Sequence, residues 1–168
     1  NIIRHEPYVA GVEYVCELAK RWSELRASQR AQKRVALILA NYPNQDGRLA
    51  NGVGLDTPAS TVEVLSALDQ AGYDVTGFPQ NSEELMDVVQ RGPTNARKSS
   101  EHADTGDKVL HEVREILELG DYLSHFKQLP LKVQEEIQAR WGDASVDPYV
   151  NGNRFELPLT RFGNVCVG

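Results

Sequence analysis

A chain of 168 residues with 40% apolar and 25% charged side chains can bury one core and stay dissolved, so a single compact unit is expected. Its net charge of -6 argues against a nucleic-acid-binding or anionic-membrane surface. No apolar run approaches the length of a membrane span and the start has no signal-peptide pattern, which points to the cytoplasm.

Residues 1–8 read as an irregular lead-in, since Pro7 ends any early helical pattern. From Val9 to Arg26, Val12, Val15, Leu18, Ala19, Trp22 and Leu25 recur at three- and four-residue steps. This spacing predicts an amphipathic helix with Glu13, Glu17, Lys20 and Arg21 on its wet side. The polar run from Ser28 to Arg34 is a solvated face leading into a buried strand at Val35 to Ala40. A second helix has agreeing end signals: Thr57 as cap, Pro58 at the first helical position and Gly72 just past the end. Tyr73 to Phe78, framed by Gly72 and Pro79, reads as a second strand and would complete a right-handed parallel βαβ unit. Asn81 and Glu84 have capping-box spacing ahead of Leu85, Met86, Val88 and Val89, and Gly92-Pro93 stops that helix.

Thr94 to Gly106 is polar and aperiodic, either a mobile loop or a surface that orders against a partner domain. Further helices are expected at Asp107 to Leu119, closed by Gly120, at Asp121 to Leu129, and from Pro130 to Gly142 with Val133, Ile137 and Trp141 on one face. After a loop from Asp143 to Asn153, Arg154 to Leu159 and Gly163 to Val167 are candidate strands joined through Thr160-Arg161-Phe162. The chain lacks an initial Met and stops inside this last strand, so an excised domain of a longer protein is expected, inactive on its own.

Asn41 to Asp56 is too long for an ordinary strand-to-helix connection, which takes two to six residues. It carries Gly47, Gly52 and Gly54 among Asn41, Tyr42, Asn44, Asp46, Asn51 and Asp56. Glycines let a backbone approach a ligand closely, and the amides and carboxylates stand at the carboxyl end of a strand, where open α/β sheets bind. Asn44 and Asn51 fit Asx-turns that shape the loop, Asp46 and Asp56 fit the site, and Asp56 competes as a helix cap. Tyr42 either stacks on a flat ligand or lids the core.

The run ANYPNQDGRLANGVGLDTPASTVEVL (Ala40 to Leu65) resembles the large-subunit family of aerobic cobaltochelatase, the CobN type, which is related to the H subunit of magnesium chelatase. RWG at Arg140 to Gly142 and RFGNVCVG at Arg161 to Gly168 also look like that family. Magnesium-inserting relatives carry a different glycine loop, so the resemblance tilts towards cobalt. It implies a segment of a subunit that binds a corrin precursor, hydrogenobyrinic acid a,c-diamide, and takes Co(II) as substrate metal. It also implies that ATP and Mg are used by separate ATPase subunits of the CobS and CobT type, not bound here. Asn41, Tyr42, Asp46, Gly47, Gly52, Gly54 and Asp56 are then the candidate substrate-binding loop, with catalytic and metal-binding residues unassigned.

Rival chemistries are weaker on the residues themselves. Gly47 and Gly52 have P-loop spacing, but Val53 and Gly54 replace the required Lys and Ser or Thr, and Thr57 breaks a dinucleotide fingerprint. His111 and Glu115 would stand one helical turn apart but lack the second histidine of H-E-x-x-H, so a hydrated polar face is expected there. No nucleophile motif is present, and Cys16 and Cys166 read as reduced packing thiols. Trp22, Trp141, Tyr122 and Phe126 read as core.

The expected fold is therefore α/β: a small, mostly parallel, Rossmann-like sheet flanked by helices, with a C-terminal strand pair. Residues 1–33 form the lead-in and helix, 34–92 the β-loop-α-β-α unit, 93–106 the polar loop, 107–142 helices, and 143–168 the loop and strand pair. The alternatives are a segment of the magnesium-chelatase large subunit acting with protoporphyrin IX, and a non-catalytic interaction domain.

Overall fold

The structure, a computed structural model, describes residues 5–40, 50, 52, 54–93 and 115–168. In chain order these form α1 (Val9–Ala27), β1 (Val35–Leu37), α2 (Thr57–Gln70), α3 (Ser82–Arg91), β2 (Glu115–Glu118), α4 (Leu119–Phe126), α5 (Leu131–Trp141), β3 (Val150–Asn151), β4 (Arg154–Leu157), β5 (Thr160–Phe162) and β6 (Val165–Val167). Two small sheets result, ordered β1-β6-β5 and β2-β4-β3. The α/β class with a strand group at the C-terminus is as expected. Its pairing is not: among the described residues only β1 and β6 run parallel, and the other pairs are antiparallel.

The first sheet carries the core. Alternation along β5 and β6 turns Thr160, Phe162, Val165 and Val167 to one face, where they are buried, and Arg161 and Cys166 to the other. Leu65 of α2 and Val75 complete the buried cluster, with Val35, Leu37, Leu68 and Val88 packed around it. Leu65, Val165 and Val167 are essentially inaccessible. The helices on this face follow their end chemistry. Asp56, not Thr57, caps α2, its carboxylate accepting from the Ala59 amide at 3.0 Å and placing Pro58 in the first turn. At the other end the Tyr73 and Gly72 amides return to the Leu68 and Asp69 carbonyls, a Schellman motif that requires Gly72 at φ 84°. Asn81 and Glu84 form the reciprocal cap of α3: the Glu84 amide donates to Asn81 Oδ1, and the Asn81 Nδ2 and Gln80 amides donate to the Glu84 carboxylate.

Tyr73 to Phe78 is not a strand. Val75 is buried and Tyr73 and Phe78 pack on the core, but the backbone turns at Gly77, and the edge of β1 is occupied by β6. Asp74 instead accepts the Asn164 amide from the β5–β6 turn. The expected helix from Asp107 is replaced at its described end by β2, whose Glu-Ile-Leu-Glu alternates along β4; residues 107–114 lie outside the described residues. Leu119 opens α4 and Gly120 sits within its first turn. Thr160 to Phe162 is a strand rather than a connection. The hairpin turn is Gly163-Asn164, and Gly152-Asn153 makes the equivalent turn between β3 and β4.

The second sheet packs on α4, where Tyr122 meets Phe155 edge-on at 5.2 Å and stacks with Phe126 at 5.9 Å. Trp22 and Trp141 are exposed rather than core, as is Cys16, because α1 has no buried residue and Trp141 closes the last turn of α5.

Candidate functional site

β1 and β6 leave the sheet at the same edge. Their ladder continues past the strands, with the Gly168 amide donating to the Leu37 carbonyl at 3.1 Å and the Leu39 amide donating to the Gly168 carbonyl at 2.7 Å. Arg30, just ahead of β1, donates to the Ala71 carbonyl at the C-terminal end of α2. α2 therefore runs antiparallel to β1, and its N-terminus stands at the carboxyl edge of the two parallel strands. That edge is the binding position of open α/β sheets.

Three of the seven candidate residues are described there. Gly52 bridges Leu55 and lies against α2, where an added Cβ would come within 2.7 Å of the Thr57 hydroxyl. Gly54 is exposed at φ 73°, and Leu55 beside it is also exposed. Asp56 caps the helix and so performs the role that competed with ligand contact. Ala50 is buried at φ 54°. Asn41, Tyr42, Asp46 and Gly47, together with Asn44 and Asn51, lie outside the described residues.

The carboxylate of Asp56 bears on the nucleotide alternative. A phosphate at the α2 N-terminus would meet it, and two anions on one helix end oppose each other.

Sequence reasoning missed the ion pair between the sheets. Arg161 of β5 makes a bidentate pair with Glu115 of β2, Nε to Oε1 and Nη2 to Oε2, both at 2.9 Å. The Arg161 hydrogen bond holds the Glu115 carboxyl below the usual carboxylate range. Glu115 is thus committed to an arginine on a strand and not to a helical metal pair with His111, which lies outside the described residues. Among the described residues no group of three or more His, Cys, Asp or Glu is placed to hold a metal, and no helix is long and apolar enough to cross a membrane.

A cavity of about 230 Å³ lies between α4, α5 and β4 and is lined by Tyr122, Phe126, Ile137, Trp141, Asp147 and Phe155. It is smaller than most small-molecule sites, which span roughly 300–1,000 Å³.

The model of the CobN/Magnesium Chelatase family matches residues 1–168. The chain is 44% identical to the aerobic cobaltochelatase subunit CobN of a Sinorhizobium species, over all of this chain and 12% of that protein. It is 35% identical to the H subunit of magnesium chelatase from Chlorobaculum parvum, over 90% of this chain and 11% of that protein. The solved catalytic subunit of cobaltochelatase from Mycobacterium tuberculosis superposes with a TM-score of 0.69 at 28% identity, over 91% of this chain and 12% of that one. The chain thus spans about an eighth of the length of these relatives.

Proposed function

The chain belongs to the CobN/magnesium chelatase family, and from that membership we propose that residues 1–168 are one domain of the large subunit of an aerobic cobaltochelatase. The whole enzyme inserts Co(II) into hydrogenobyrinic acid a,c-diamide in the cytoplasm, during aerobic cobalamin synthesis. ATP, with Mg, is hydrolysed on partner subunits of the CobS and CobT type and is not bound by this domain. The carrying observation is the 44% identity to a CobN subunit across the entire chain, against 35% for the magnesium-type relative.

Metal insertion requires gripping a large macrocycle, removing its pyrrole protons and stripping water from the incoming ion. In our reading the loop at the carboxyl edge of β1 and β6 supplies the grip. Asn41 and Asp46 hold the polar side arms of the ring, Tyr42 stacks against it, and Gly47, Gly52 and Gly54 let the backbone come close. Asp56 is a positioning residue. Through its cap it fixes where the loop ends and α2 begins.

The test is an absorbance titration of the corrin precursor into the intact large subunit, wild type and Asp46→Ala, with circular dichroism as a folding control. A loss of about tenfold in affinity, equal to about 1.4 kcal/mol, is expected for the folded variant. Unchanged affinity would make the loop architecture only, as in an interaction domain. A parallel titration with protoporphyrin IX addresses the magnesium reading, to which the more distant Chlorobaculum parvum relative corresponds; tighter binding of the porphyrin than of the corrin precursor would support it.

A further inference from the structure

We propose that the apolar stripe of α1 is an internal docking surface, covered in the full-length large subunit by another domain of the same polypeptide. The proposal rests on the reading of this chain as a segment of that subunit. Val12, Val15, Leu18, Trp22 and Leu25 follow one face of the helix, and none is buried; Val15 is 61% and Trp22 65% exposed. A stripe of this width ordinarily faces a core.

The polar face of α1 needs no partner. Arg21 pairs with Glu17 at 2.9 Å, and Lys20 lies 3.9 Å from both Glu17 and Glu24. The unmet demand is confined to the apolar side. That side ends in an open cleft of about 520 Å³ formed by Trp22, Leu25, Arg26 and Lys33. An occupant must therefore be apolar along its length and carry carboxylates where it meets Arg26 and Lys33.

Length identifies the occupant. In the matching large subunits some seven-eighths of the polypeptide lies outside the matched segment. A neighbouring domain of the same chain is present at high effective concentration and covers the stripe without separate association.

Hydroxyl-radical footprinting with mass spectrometry on the intact large subunit tests this without any ligand. Labelling of Val15, Leu18 and Trp22 is normalised to the same residues in the urea-unfolded protein, over a dilution series monitored by light scattering. The expected result is a fall to about one-tenth in the monomeric subunit alone, independent of dilution. Trp22 labelling near two-thirds of the unfolded rate, as its exposure here implies, overturns the proposal. Protection that appears only on dimerisation, or only when ATPase subunits are added, also overturns it. Because no tetrapyrrole is present, this outcome is independent of the corrin titration.

Discussion

The two Gly-Asn turns provide a controlled experiment in one molecule. Gly152 and Gly163 occupy equivalent positions in their hairpins, at φ 66° and 60°, so alanine at either must adopt the same unfavourable backbone, at about 1 kcal/mol. Their surroundings differ. A Cβ at Gly152 meets nothing within 4 Å, whereas one at Gly163 stands 2.7 Å from the Asp74 carbonyl oxygen and 2.6 Å from Asp74 Oδ1. The side-chain oxygen can swing away. The carbonyl cannot move freely, because it holds the Asn164 amide at 2.9 Å. Overpacking of this kind adds about 1–3 kcal/mol. Gly152→Ala should therefore lower the unfolding free energy by about 1 kcal/mol and Gly163→Ala by about 2–4 kcal/mol. Urea unfolding followed by far-ultraviolet circular dichroism, extrapolated linearly to water, measures both. If the two losses agree within about 0.5 kcal/mol, the close approach at Gly163 contributes nothing and the argument fails.

Leu65→Ala removes a fully buried side chain at the centre of the first sheet's core and should cost about 3 kcal/mol in the same urea assay. A loss under about 1 kcal/mol would mean that the site collapses to fill itself. For Glu115 and Arg161, a double-mutant cycle with Glu115→Gln and Arg161→Met should give a coupling of about 1 kcal/mol, modest because both groups are partly exposed. The lowered pKa of Glu115 sets the sign with pH. Its stabilisation is present above the unfolded carboxylate pKa and is lost as pH falls through the folded value, so wild type should lose more stability than Glu115→Gln on acidification. Parallel acid profiles for the two proteins would contradict this assignment.

What could be read in advance was mostly local chemistry. The ends of α2 and α3 were legible because caps and Schellman glycines act within a few residues, and even the true α2 cap, Asp56, stood as the competing reading. Tyr73 to Phe78 misled because core insertion and strand pairing produce the same apolar spacing, and the true neighbour of β1 lies far along the sequence. Glu-Ile-Leu-Glu at β2 fits period 3.6 as well as period 2, an ambiguity inherent to short apolar runs. The hairpin turn falls later than the expected Thr160-Arg161-Phe162 because Gly163-Asn164 is itself a turn dipeptide. At the site, the sequence puts a glycine-rich stretch after β1 but gives no sign that β6 pairs with that strand. The Arg161–Glu115 pair, 46 positions apart, leaves no local signal at all.

The pairing of β1 with β6 also imposes an order on synthesis. Asn164 Nδ2 donates to the Ala31 carbonyl across 133 positions, and Val165 and Val167 are the least accessible members of the core that Leu65 enters. At about 5–20 residues per second, the ribosome completes α3 on the order of 4–15 s before those valines are made. During that interval α2 can close on α3 and β1, but the places of Val165 and Val167 are empty and Leu65 stays partly wet. The nascent chain must therefore hold a preformed helical face open until β6 arrives, so a ribosome stalled shortly before Val165 would present an aggregation-prone surface.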